Sequence, residues 1–144
     1  LLFYLHPWAR KRSGRVFGSE HKVALTGKSG RKPDVTMYLD GQKLPRRRPS
    51  SDTPPSVAIE VVTPTPRDTK RDRVDKPDEY ARAGVRSYWL LDPAMRTLEV
   101  FELGADRRYV RAKSASGGRV KIPGCPGLVL DLDGLWTELD SLDG

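Results

Sequence analysis

The stretch Pro55-Ser56-Val57-Ala58-Ile59-Glu60-Val61-Val62-Thr63-Pro64 constrains the fold more than any other part of the chain. Its Val, Ala and Ile side chains fall on both sides of a period-two alternation. That pattern predicts a short strand buried on both faces, as in the centre of a sheet. The prolines at either end bound it. Glu60 sits in its middle. An unpaired carboxylate there costs roughly several kcal/mol or takes up a proton. Glu60 therefore needs a cation, a metal ion or a rim position with water.

The chain around it alternates strand and helix signals. Residues 1–10 read as the end of a helix with Leu1, Leu2, Leu5 and Trp8 near one face, limited by Pro7. Val16–Glu20, Lys22–Leu25 and Lys32–Leu39 read as strands. In the last, Val35, Met37 and Leu39 alternate with Asp34, Thr36 and Tyr38, so Asp34 and the apolar triplet point to opposite faces. Gly27-Lys28-Ser29-Gly30 is a turn; it lacks the spacing and the following helix of a phosphate loop. Asp40-Gly41 is a second turn, and residues 41–55 read as a loop carrying Arg46-Arg47-Arg48.

Residues 67–83 are helical, with Asp68, Asp72, Lys76 and Tyr80 along one slowly drifting stripe. Pro77 predicts a break there, with Asp75 capping a second helical piece and Gly84 ending it. Val85–Leu91 is an aromatic and β-branched strand ended by Asp92-Pro93. Thr97–Leu103 and Arg107–Lys113 predict a hairpin across Gly104-Ala105-Asp106. Gly117-Gly118 is a turn, Arg119–Ile122 and Leu128–Leu132 are extended, and Leu132–Leu142 has helical periodicity.

The 144 residues suit one domain, and 37% apolar with 31% charged residues is a globular balance. The net charge of +7 admits a polyanionic partner without requiring one. The single cysteine, Cys125, excludes an internal disulfide and lies in a Gly-Cys-Pro-Gly turn with neither His6 nor His21 at ligand spacing. No apolar run approaches a membrane span, and Leu1–Leu5 is too short and lacks the basic start of a signal peptide. A reduced, cytoplasmic setting is expected. The first residue is not Met and lies inside an apolar run, which suggests that residues upstream are missing.

The strands bearing Asp34 and Glu60 are expected neighbours, bringing both carboxylates to one end of the sheet. Two carboxylates about 4–6 Å apart repel unless a cation lies between them. Mg²⁺ (or Mn²⁺) suits the place, since it prefers oxygen ligands and keeps several waters. The carbonyl of Val61 offers a further oxygen, and Lys76 reaches in from the helix. Such a site suits phosphodiester hydrolysis. For each residue a plainer role competes: a turn cap for Asp34, a salt bridge for Glu60, and a solvated lysine paired with Asp72 for Lys76. Glu20 could add an acid but fits a half-exposed strand residue better, while Tyr80 and Trp89 fit core packing better than base stacking.

Arg31-Lys32-Pro33-Asp34-Val35, Ile59-Glu60-Val61-Val62-Thr63-Pro64, Asp72…Lys76…Tyr80…Gly84-Val85 and Tyr88-Trp89-Leu90-Leu91-Asp92-Pro93 together resemble the Uma-type family of restriction endonucleases, within the PD-(D/E)xK nuclease superfamily. The ending Pro123-Gly124…Pro126-Gly127-Leu128…Leu130-Asp131-Leu132 is also similar. The resemblance covers roughly residues 16–136. It implies an α/β, restriction-endonuclease-like core, a mixed β-sheet flanked by helices, over residues 1–144, with the family's N-terminal helices largely absent. It implies a Mg²⁺-dependent endonuclease acting on DNA, with Asp34 and Glu60 as metal ligands. The superfamily's lysine normally follows the acid by two residues; Val62 stands there, so Lys76 becomes the candidate. Ser87 stands where the family usually carries an acid. Arg31, Lys32 and Arg67 flank the site as candidate phosphate contacts, and a homodimer is admitted. The competing readings are a catalytically inactive nucleic-acid-binding module and a regulatory protein that self-associates through Tyr88–Leu91.

Overall fold

The computed structural model describes residues 1–24, 30–39, 50–51, 54–63 and 65–143. The readings for Gly27–Ser29, the turn at Asp40-Gly41 and the arginine triplet at 46–48 lie outside those residues. In chain order the elements are α1 (Leu2–Arg10), β1 (Arg15–Phe17), β2 (Lys22–Ala24), β3 (Gly30–Arg31), β4 (Val35–Tyr38), β5 (Ser50–Ser51) and β6 (Val57–Val61). Then follow α2 (Pro66–Lys70), a π-helical turn (Arg71–Asp75), α3 (Lys76–Ala83), β7 (Ser87–Asp92), β8 (Thr97–Leu103), β9 (Tyr109–Ala115), β10 (Arg119–Lys121), β11 (Val129–Asp131) and α4 (Leu132–Asp143).

Six strands form a mixed sheet in the order β1-β4-β6-β7-β8-β9. All its pairings are antiparallel except β6 with β7. A parallel pair needs a crossover, and α2, the π turn and α3 supply it. The expectation of a central strand at Glu60 holds, because β6 lies between β4 and β7 with Val57–Glu60 buried. β7 is buried at all six positions, so Tyr88–Leu91 has no face to offer a second copy and the self-association reading loses its surface.

Alternation sorts β6 into two faces. Val57 and Ile59 join the larger core with Val35, Met37, Trp89, Leu91, Leu98 and Val100, covered by α1 and α4. Ala58 and Val62 face the other way, into a smaller cluster with Tyr80, Val85, Tyr88 and Leu90. Glu60 shares that second face. The larger core is pinned by polar contacts at its rim: Trp8 Nε1 and Arg12 Nη2 donate to the Pro126 carbonyl, and Trp136 Nε1 donates to the Ser116 carbonyl at 2.7 Å. Leu5 and Trp8 of α1 are buried as expected, whereas Leu2 turns outward. Cys125 is buried in the turn before β11, and burial pushes its thiol up to about 11, which suits a packing role.

The structure corrects several boundaries. The stretch predicted as an uninterrupted loop from 41 to 55 contains β5, which pairs in parallel with β2 beside β3. Two serines carry no strand signal of their own; the pairing is imposed by β2. Glu20 lies exposed in a turn after β1 rather than on a strand. The hairpin partner of β8 begins at Tyr109, two residues later than expected, because Arg107 takes a left-handed φ of 62° inside the turn.

As predicted, a second helical piece, α3, begins here with Pro77 in its first turn and Asp75 at the N-cap position, but the break and the cap are not as expected. Asp75 has helical angles (φ −71°, ψ −49°) and makes no side-chain cap. The chain instead widens into one π turn, in which the Lys76 N–H donates to the Arg71 carbonyl. That leaves the Asp72 carbonyl without its α-helical donor. Its donor five residues on would be Pro77, which has no N–H. The Tyr88 hydroxyl fills the gap, donating to the Asp72 carbonyl at 2.6 Å. The helix so preserved ends, as predicted, at Gly84 with φ 84°. A Cβ at Gly84 would meet no atom within 4 Å, so Gly84→Ala carries only the backbone cost of a left-handed residue. Urea unfolding of Gly84→Ala should show a loss of about 1 kcal/mol with an unchanged denaturant slope.

Candidate active site

The site grows out of the pairing of β4 with β6. Val35 lies opposite Ile59 and Thr36 opposite Ala58, so one further step of that register sets Asp34 opposite Glu60. Asp34 is held there by the strand itself, since its Oδ2 accepts the Val61 N–H at 2.7 Å. Among the described residues its other oxygen has no partner. The two carboxylates thus share the sheet face that the crossover helix covers.

That helix answers the electrostatic problem of Glu60, which is 2% exposed. Lys76 Nζ lies 2.9 Å from Glu60 Oε2, and the Tyr80 hydroxyl donates to Oε1 at 2.7 Å. Lys76 also lies 2.8 Å from Oδ1 of Asp72, a second buried acid one turn earlier on the helix. One ammonium therefore serves two buried carboxylates, with Asp34 as a third acid nearby.

The charge balance leaves Glu60 short. Burial pushes its carboxyl up to about 7, against the opposing pull of Lys76 and of the Tyr80 hydrogen bond, and the charge of Asp34 adds to the rise. Burial also works against the Lys76 ammonium, but Asp72 and Glu60 outweigh it and hold its pKa above the ordinary lysine value. Tyr80 is driven strongly upward by burial and by the Glu60 charge, so its phenol stays protonated and acts as a donor.

A divalent ion fits this donor set. Asp34 and Glu60 offer hard oxygens, one Asp34 oxygen has no donor among the described residues, and burial pushes the Glu60 carboxyl up to about 7 even with Lys76 in contact. Among the described residues, no group of three or more Asp, Glu, His or Cys side chains is placed to hold a metal ion. Two acids and water are what the described residues bring to an ion that keeps several waters.

The structure thus brings Asp34, Glu60 and Lys76 together. Val61 contributes its N–H to Asp34. Arg31 is bound through two nitrogens to Glu79 of α3, at 2.6 and 2.9 Å. Lys32, just before Asp34, and Arg67, on α2, are exposed. Two members of the cluster escaped the sequence argument. Tyr80 packs in the core as expected but also holds Glu60. Asp72 was visible only as the plain helical partner of Lys76. The signal that could have found both is the spacing Asp72-Lys76-Tyr80 opposite a strand with one buried acid. His21 lies elsewhere on this face, where its Nε2 and the Tyr38 hydroxyl are 2.9 Å apart.

This fold, a mixed sheet flanked by helices with a helical crossover at its centre, is that of the restriction-endonuclease-like class. Residues 1–133 match the Uma2 family, described as "Putative restriction endonuclease", and the chain belongs to that family. Among solved structures it is similar to a protein of Anabaena variabilis ATCC 29413, described as "a putative nuclease belonging to DUF820". The two share 18% sequence identity and superpose with a TM-score of 0.64, over 90% of this chain and 71% of that one. At that identity the likeness speaks for the fold alone. No curated protein matches the chain. No helix among the described residues is long and apolar enough to cross a membrane.

The raised Glu60 carboxyl has a signed consequence for stability. The folded state holds this proton up to about 7, whereas the unfolded chain releases it near 4.5. Between those values the folded state binds more protons, so stability falls as pH rises and levels off above the higher value. The loss is on the order of 3 kcal/mol at most. Urea unfolding between pH 4.5 and 8 without divalent ions should show this decline, and Glu60→Gln should flatten it.

Proposed function

We propose that this protein is a divalent-metal-dependent endonuclease that hydrolyses phosphodiester bonds in DNA. The observation that carries the reading is the Lys76 ammonium 2.9 Å from Glu60, with Asp34 on the neighbouring strand. A helix-borne lysine thereby reaches the acid whose own strand offers only Val62. Family membership and fold support a nuclease in general; the metal and the DNA substrate rest on the chemistry of the site.

Asp34 and Glu60, with the Val61 carbonyl, would hold Mg²⁺ or Mn²⁺. When bound, such an ion activates water and offsets the charge that develops on the phosphate. The chain's own residues do the rest. An ammonium has three donors; one goes to Glu60, and a second faces the Asp72 carboxylate across an ion pair of 2.8 Å. The third is left for a water or a phosphate oxygen, where a positive charge in a partly buried site stabilises the transition state. Tyr80 fixes the Glu60 carboxylate, and the Val61 N–H fixes Asp34. Lys32 and Arg67 offer exposed cations for the phosphate backbone, and Arg31 offers one already oriented by Glu79.

A second reading has its own observation. Both Glu60 oxygens already have protein donors, and the superfamily's usual lysine position is a buried valine. A catalytically inactive DNA-binding module of the same fold would tolerate both. The two readings part in one experiment, nicking of supercoiled plasmid by the purified protein with Mg²⁺ or Mn²⁺. The nuclease reading expects metal-dependent nicking that falls about 100-fold or more in Asp34→Asn, Glu60→Gln and Lys76→Ala. Intact plasmid throughout, with salt-sensitive DNA binding indifferent to Glu60→Gln, would establish the second reading instead.

A further inference from the structure

We infer that Asp72 is the positioning residue of this site, anchoring the Lys76 ammonium independently of Glu60. The inference rests on the nuclease reading for its catalytic meaning, though not for its geometry. Asp72 is 3% exposed and lies 2.8 Å from Lys76, as close as Glu60 does. Its Oδ1 is fully shielded from solvent and has no hydrogen-bond partner among the described residues, so the Lys76 ammonium meets it as an ion pair. A buried carboxylate oxygen whose one ion-pair partner among the described residues is Lys76 holds that ammonium strongly, because losing it would leave an uncompensated charge.

The backbone is built to bring these groups together. In an α-helix each residue turns about 100°, so positions four apart overshoot by about 40° and the stripe Asp72-Lys76-Tyr80 would drift off the sheet. The π turn holds more residues per turn, so it undershoots across Asp72 to Lys76 and offsets the overshoot from Lys76 to Tyr80. The Tyr88 hydroxyl on the Asp72 carbonyl fixes the turn that carries the anchor. A cation bound at Asp34 and Glu60 would weaken the hold of Glu60 on Lys76 by competing for its charge. Asp72 is outside that pair and keeps the ammonium in place, with its remaining donor directed by the helix.

The test is NMR of the uniformly ¹⁵N-labelled protein combined with kinetics. The Lys76 ammonium should give a ¹H–¹⁵Nζ signal protected from solvent exchange, with and without Mg²⁺. Asp72→Asn should lose that signal, whereas Glu60→Gln should keep it. Mg²⁺ affinity, measured by calorimetry, should change less than about threefold in Asp72→Asn. Nicking by Asp72→Asn should fall at least tenfold in kcat with KM unchanged, and Asp72→Asn/Lys76→Ala should be no slower than Lys76→Ala alone. Where Asp72→Asn proves unfolded by circular dichroism, Asp72→Glu carries the test: it keeps the charge, and so should keep the protected signal. Survival of the signal in Asp72→Asn, its loss in Glu60→Gln, or additive effects in the double variant would overturn the proposal. A tenfold loss of Mg²⁺ affinity in Asp72→Asn would overturn it too, by making Asp72 a ligand. Absence of nicking by the wild type would sink the nuclease reading alone, since the ammonium signal reads the anchor without catalysis.

Discussion

The Lys76 ammonium, lodged between two buried carboxylates, is the interaction on which the rest of the site depends. Glu60 stands in the centre of a sheet, where burial drives its carboxyl up to about 7 even with Lys76 and Tyr80 in contact. Without those two it would be an unpaired charge in apolar surroundings, a larger liability than any single packing contact can offset. The parallel pairing of β6 with β7 forces a crossover over this face, and the crossover carries both partners. Topology and electrostatics are therefore one problem here: the helix that permits the parallel pair is the helix that neutralises the acid.

The two faces of the sheet divide the work. The face under α1 and α4 is filled with Val, Ile, Leu, Met and Trp, and it buries most of the apolar surface. The face under α3 has a smaller cluster in which tyrosines supply both packing and hydroxyl donors. A polar network needs full satisfaction to be tolerable in low dielectric. Tyr80 and Tyr88 meet part of that need, one on a carboxylate and the other on a carbonyl that proline leaves without a donor, while Asp72 Oδ1 relies on its ion pair with Lys76. The larger core supplies the rigidity that lets the smaller face spend its positions on charge.

Much of this was legible in the sequence because it follows from period and composition. The apolar run around Glu60 placed it in a central strand, and the lone acid within it demanded a cation. The alternation in Val35–Leu39 put Asp34 on the opposite face from the apolar triplet, which is the face Glu60 shares. Pro77 marks the start of α3 as expected but gives no sign of the π turn that joins α3 to the helix before it, because the rule for proline assumes α-helical hydrogen bonding. The chain accommodates it with a π turn and a tyrosine from the sheet, a contact that only the tertiary fold reveals. Asp72 looked like half of an ordinary surface pair, since spacing alone cannot tell a solvated i, i+4 pair from a buried one. β5 left no trace in its two serines, because its pairing is dictated by its neighbours.

Position 62, beside the buried acid on its own strand, is given to packing. Val62 is 5% exposed, packs with Ala58, Tyr80, Val85 and Leu90, and donates its N–H to the Leu91 carbonyl at 2.7 Å. A lysine at that position would put a longer, charged side chain into this buried cluster. The apolar cluster and a strand lysine compete for the same volume. Moving the cation to α3 resolves the competition, but a helix side chain reaching across to a sheet is less constrained than one rising from the acid's own strand. The buried acid one turn earlier on the helix supplies the missing constraint. Val62, Lys76 and Asp72 are best understood as one linked arrangement, in which giving position 62 to packing makes a second anchor for the ammonium necessary.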